Sequence, residues 1–298
     1  MASAAAGAAK RGGGRFLSAL WRDRAGRFSA LRLATAALAA APLLWLALAL
    51  GGGRAGPEPI DTALHITGEW AVTFLLLSLA VTPMQRAFRW SKLLTIRRML
   101  GLTTLIYALA HVTAYVFDQG LDLGRVASEI WLRVYLTIGF IAVIGLVALG
   151  VTSTDAWIRR LGPTWRRLHQ LAYPIAALGL THYLLQSKLD AGAAVTMTGL
   201  FALLMLHRIA LWRRIALTPA SLLGAAVLAT ALTMGFELAW YASATNVPPA
   251  VIWEANFNAA AGLSPAWRVG LLGALFAGAA ALHQAWRRGG SARRVAAE

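Results

Sequence analysis

The chain has 298 residues, of which 58% are hydrophobic and only 13% charged, and its mean hydropathy is +0.61. Soluble domains run near a quarter charged, so this balance excludes an ordinary soluble domain and points to a membrane protein. There is no cysteine, which excludes disulfides, thiolate metal sites, cysteine-ligated iron–sulfur clusters and covalent C-x-x-C-H attachment of a cofactor.

Residues 1–30 are rich in Ala, Gly and Arg and hold no compact apolar stretch; a disordered, basic cytoplasmic tail is expected there. Apolar runs able to cross a bilayer, about 17 to 25 residues each, follow at 31–50, 64–82, 100–117, 132–151, 168–186, 193–212, 216–236 and 268–286. The expected fold is therefore an all-α polytopic membrane protein with eight spans. Between them, 51–59 reads as a flexible outer loop and 82–98 as a basic inner loop with an amphipathic piece at the headgroups. The segment 118–129 is outer. In the inner segment 152–167, Asp155 is expected to cap a short interfacial helix that Gly162–Pro163 closes. The longest outer segment, 237–267, either covers that face, meets a partner or is a solvated linker. No internal repeat and no dinucleotide-binding glycine fingerprint is evident, and no segment is long enough for a soluble nucleotide domain.

The net charge of +16 would suit nucleic acid, but its distribution does not. With the N-terminus and C-terminus both cytoplasmic, the inner segments hold 23 of the 28 Lys and Arg. The outer segments keep only Arg54, Arg125, Arg133, Lys188 and Arg268. Every alternate loop thus follows the positive-inside pattern, and the charge is a topology signal. No nucleic-acid partner is expected; membrane lipid is.

Six histidines remain to be explained: His65, His111, His169, His182, His207 and His283. A histidine inside a membrane is often just a hydrogen-bonding helix contact. His65 lies at an outer end, and His207 and His283 lie near inner ends beside Arg208 and Arg287, where headgroups are in reach. His111 and His182 differ. They stand 13 and 15 residues beyond Arg98 and Arg167, on helices expected to run in the same direction. Both imidazoles therefore fall about 20 Å up their helices. Two histidines at equal depth on parallel spans suit the iron of haem b, which needs no cysteine and whose macrocycle suits a bilayer. His169 lies near the inner face, level with Arg97 and Arg98, which are candidates to pair with haem propionates or anionic lipid. Thirteen residues of a straight helix separate His169 from His182, about 20 Å, so the two cannot share one ion, although Pro174 is placed to kink the helix. One haem is expected, with a second at His169 as the alternative.

The stretches "TGEW" (67–70), "RRMLGL" (97–102), "YALAH" (107–111), "TSTDAWIRRLGPTWRRLHQLAY" (152–173) and "HY" (182–183) together resemble the MsrQ (YedZ) family. This is the haem-binding membrane subunit of the bacterial MsrPQ methionine sulfoxide reductase system, within the ferric-reductase-like transmembrane group. The resemblance covers 31–212, which it implies is a six-helix haem-binding core. Residues 213–298 then form a C-terminal extension with two further transmembrane helices and a periplasmic loop. The resemblance implies a multi-pass protein of the bacterial inner membrane. It would carry electrons from the quinone pool, or from a cytosolic flavin reductase, to a periplasmic molybdopterin-containing MsrP-type catalytic subunit that repairs oxidised periplasmic proteins. It further implies FMN, for which no residues are assigned. By motif, His111, His169 and His182 are the family's three histidines. Where related two-haem reductases carry a histidine fourteen positions before the third-helix histidine, this chain has Arg97.

Two other functions fit the same histidines. A cytochrome-b-type quinol oxidase subunit or metal-ion reductase would keep the haem and change the acceptor. A proton-coupled transporter would use the histidines as relays, but should show buried carboxylates or broken helices at mid-depth. The spans carry almost no acidic residues away from their ends.

Overall fold

The computed structural model describes residues 21–22, 26–188, 190–258, 260 and 262–295, with the backbone alone for 289–295. Most of the expected tail, 1–20 and 23–25, lies outside the described residues. Every named element is helical: α1 Ala30–Gly51, α2 Pro59–Phe88, α3 Arg97–Asp118, α4 Leu123–Leu132, α5 Val134–Val151, α6 Asp155–Leu161, α7 Pro163–His169, α8 Ala172–Ser187, α9 Gly192–Trp212, α10 Pro219–Ala244, α11 Pro249–Phe257 and α12 Pro265–Val295, with a 3-10 turn at Ser91–Thr95. Seven of them, among the described residues, are long and apolar enough to cross a membrane. The expected fifth span is the exception. It begins at Ala172, not at 168, and α8 has only 16 residues. Pro174 supplies the reason: it has no N–H, and its ring pushes away the carbonyl of Gln170, so the ladder from α7 does not continue.

Large apolar side chains point outward along the bundle, as with Leu48 at 75% and Leu282 at 74% exposed, an arrangement that lipid satisfies and water would not. Inside, α2 pairs with α3 and α5 pairs with α8. Phe74, Leu79, Tyr107, Leu146, Ile175 and their neighbours form the main core, which α1 and α9 join from the side. α10 and α12 pack on each other and on α9, with Gly273 close to Ala226 and Gly199 close to Thr233 and Val269. Small residues let these backbones approach where no hydrophobic effect drives helices together.

The inner segments depart from expectation in one respect. Thr154, not Asp155, caps α6, accepting from the Trp157 N–H at 3.4 Å. Asp155 instead takes Arg98 Nη2 at 2.6 Å and ties α6 to the start of α3. Outside, 118–129 is half helix, as Asp122 caps α4 by accepting from the Arg125 N–H at 2.9 Å. The long segment 237–267 is no solvated linker. It folds into α11, where buried Asn256 donates to Glu237 Oε2 and to the Ile252 carbonyl, both at 3.0 Å. Asn256 also accepts from Ser264 Oγ at 2.8 Å, and its carbonyl accepts from Trp267 Nε1 at 2.9 Å.

α1 is held by a side chain that completes its backbone. Pro42 opens the helix ladder around it. Into that opening goes the hydroxyl of Tyr107, 1% exposed, donating to the Ala39 carbonyl at 2.8 Å and accepting from the Leu43 N–H at 3.2 Å. Tyr107→Phe strands both backbone groups, so a loss of about 1–2 kcal/mol is expected. The thermal unfolding midpoint in detergent should drop by several degrees; an unchanged midpoint would mean that α1 recloses its own ladder.

Candidate haem-binding site

The two mid-depth histidines meet. The His111 and His182 rings have centroids 6.2 Å apart and planes 83° apart. Each ring is fixed in the same manner by the helix that pairs with its own. His111 Nδ1 lies 2.9 Å from the Leu64 carbonyl of α2, and His182 Nδ1 lies 2.8 Å from the Tyr135 carbonyl of α5. A carbonyl only accepts, so each Nδ1 carries the proton, and Nε2 keeps its lone pair for a ligand.

Room for the rings comes from two glycines. A Cβ on Gly68 would lie 2.9 Å from His111 Nδ1, and one on Gly139 would lie 2.7 Å from His182 Nδ1. The two half-sites are equivalent in chain position. Leu64, Gly68 and His111 recur as Tyr135, Gly139 and His182, each shifted by 71 residues. The structure thus contains the internal repeat that the sequence does not show. Only the glycine and the histidine are identical between the two sets, and a backbone carbonyl leaves no mark on residue identity.

A metal fits between the rings. A metal–imidazole bond of about 2 Å and a ring radius of about 1.2 Å place two opposed ring centres about 6 Å apart. Ring planes at right angles are compatible with two imidazoles held on opposite sides of one ion. The described residues hold no group of three or more His, Asp or Glu that could bind a metal ion, so the pair offers two imidazole nitrogens as its ligands.

The remaining expected site residues sit elsewhere. His169 ends α7, at the basic end of the bundle, and is not on the helix that carries His182. The straight-helix estimate of their separation therefore does not apply. Its Nε2 is 3.2 Å from Thr152 Oγ1, and its ring stacks on Trp165 at 4.0 Å. Arg98 is taken by Asp155, and Arg97 is exposed at the start of α3. His65 is exposed and paired with Asp61 at 3.2 Å. His207 does not reach headgroups: it is 3% exposed, and its ring faces Phe276 of α12 at 5.6 Å. His283 packs against Phe88 at 5.7 Å. On the acidic side of the pair, Tyr183 donates to Glu69 Oε1 at 3.0 Å, a link from α8 to α2 that the sequence reading missed. Two polar residues directly beside site residues were its only signal.

The sequence profile of the family described as "Ferric reductase like transmembrane component" matches residues 67–180. That segment contains Gly68, His111 and Gly139 and ends two residues before His182. The chain is 39% identical over 190 residues to the protein-methionine-sulfoxide reductase heme-binding subunit MsrQ of Rhodospirillum rubrum, covering 63% of this chain and 89% of that one. It is 39% identical over 175 residues to the same subunit of Xanthomonas campestris pv. campestris (strain B100), covering 57% and 78%. For the subunit of Caulobacter vibrioides the identity is 38% over 178 residues, covering 59% and 85%. No solved structure matches.

Gly68→Ala and Gly139→Ala each force an imidazole off its carbonyl. Each is expected to lower the haem retained per polypeptide severalfold in purified protein, measured by pyridine haemochrome absorption. Gly101→Ala, where a Cβ meets nothing within 4 Å, should retain the wild-type amount.

Proposed function

This chain belongs to the MsrQ family of haem-binding subunits of protein-methionine-sulfoxide reductases, multi-pass proteins of the bacterial inner membrane, and we propose that it holds haem b between His111 and His182. The observation that carries the reading is the facing pair of imidazoles, 6.2 Å apart, each with Nδ1 closed on a main-chain carbonyl. When bound, the haem supplies a one-electron carrier inside the bilayer. The chain does the rest. The Leu64 and Tyr135 carbonyls fix tautomer and ring orientation, and they raise the basicity of each Nε2. Phe74, Ala142 and Ile175 help to keep the surroundings dry. Because the ligands come from α3 and α8, on opposite halves of the 71-residue repeat, the site forms only when both helix pairs dock.

In this reading the donor is the quinone pool or a cytosolic flavin reductase. The acceptor is a periplasmic molybdopterin-containing MsrP-type subunit, where methionine sulfoxide in oxidised proteins is reduced. Bundle ends rich in Arg support cytoplasmic placement of the α2–α3, α5–α8 and α9–α10 connections, by the positive-inside rule. FMN is part of what the family resemblance implies and has no residues assigned to it. One haem accounts for the pair. His169 is engaged with Thr152 and Trp165, which favours a structural position for it over a second haem. The proton-relay reading requires both ring nitrogens to exchange protons, and here each Nδ1 faces a carbonyl that cannot pass one on.

The test is a reduced-minus-oxidised spectrum of detergent-purified protein from haem-supplied cells, with haem counted per polypeptide. A b-type spectrum and a count of one are expected. His111→Ala and His182→Ala should each lose the haem, whereas His207→Ala and His283→Ala should keep it. Full retention in the first two would sink the assignment.

A further inference from the structure

Arg208 lies on α9 four residues before its end, on the same face as Leu204 and Phe201, which pack on the main core. Its guanidinium therefore enters the bundle instead of reaching the headgroups. Cζ is 5.2 Å from the Tyr173 ring centre, Nη2 is 3.4 Å from Thr82 Oγ1, and Nε is buried without a hydrogen-bond partner. Among the described residues no carboxylate forms an ion pair with it, and the charged group that acts on it is Arg97, a like charge. A guanidinium stays charged in proteins, and one held in a low-dielectric bundle requires an anion.

Among the described residues none is supplied, which points to the ligand as the source. Haem b carries two propionate carboxylates on one edge. Tyr173 is nine residues from His182 toward the basic end, about 14 Å of rise, and because the guanidinium already stands at Tyr173, the macrocycle edge and its propionate arm must reach down across that gap to meet it. The other cations expected for this task are elsewhere engaged or outside: Arg98 binds Asp155, and Arg97 is exposed.

We propose that Arg208 is the counter-charge for a propionate of the bound haem, with Thr82 and Tyr173 holding the guanidinium in place. The inference rests on the haem reading above and adds a residue that positions the cofactor from the side opposite to the Glu69–Tyr183 link.

The test compares haem with haem dimethyl ester, whose two carboxylates carry no charge, by titrating the full-length protein from haem-limited cells in detergent. Wild type is expected to bind haem at least about tenfold more tightly than the ester, the scale of one charge-assisted pair. Arg208→Gln should bring that ratio to about twofold or less, and Arg208→Lys should keep part of it. Arg213→Gln, an exposed arginine at the same end, should leave it unchanged. A wild-type ratio in Arg208→Gln overturns the proposal and leaves the histidine pair intact. Failure of both compounds to bind wild type overturns the haem reading itself. Should Arg208→Gln not fold, the wild-type ratio decides, since a value near one removes any charged partner for the carboxylates.

Discussion

Two hydrogen bonds from histidine Nδ1 to a main-chain carbonyl, one in each helix pair, organise the rest of this molecule. In lipid a helical carbonyl already accepts from its own ladder, so a second donor must be brought to it at close range. That demand accounts for Gly68 and Gly139, which remove the Cβ that would hold each ring away. It also accounts for the dense packing of α2 on α3 and of α5 on α8. The pair of rings is then a product of docking two similar units, not of one metal-binding helix. Neither unit presents a site alone.

The extension packs against this frame, and Phe236, Trp240 and Tyr241 of α10 share a cluster with Tyr183 and Leu184, next to His182. α10 and α12 contact α9 and the basic end of α2 through glycine, alanine and threonine, with His207 and His283 enclosed among Phe88 and Phe276. α9 is the shared element. One of its faces sends Phe201, Leu204 and Arg208 toward the main core, while His207 faces the extension. A change in how α10 and α12 sit would therefore be transmitted to the depth at which Arg208 stands.

Much of this was legible in the sequence. Most helix positions followed from hydropathy. The meeting of His111 and His182 agrees with their mid-span positions on helices that run in the same direction, although the count from Arg167 to His182 assumed one continuous helix and the chain breaks it before Ala172. What failed did so for local reasons. The sequence places Pro174 as a kink within one helix, but it stands in the first turn of α8, and His169 falls on α7. The sequence makes Asp155 a cap, but an ion pair with Arg98 holds it while Thr154 takes the cap. Position in the span puts His207 near headgroups, yet the rotational setting of α9 buries it. The 71-residue equivalence was invisible because its shared element is a backbone carbonyl.

α8 is the shortest of the helices that line the pair, and this has a consequence for how the membrane meets the protein. Sixteen residues rise about 24 Å, less than the roughly 30 Å of a bilayer's hydrocarbon. Lipid beside α8 must thin, or headgroups must sink, to keep Arg166 and Arg167 of α7 wet. His182 stands ten residues above the start of α8, whereas His111 stands fourteen above the start of α3. The insulating layer beneath the pair is thus about 6 Å thinner on the α8 side than on the α3 side. If charge is delivered from the basic end, as the proposed function has it, the flank formed by α7 and α8 gives a shorter dielectric path to the pair than α3 does.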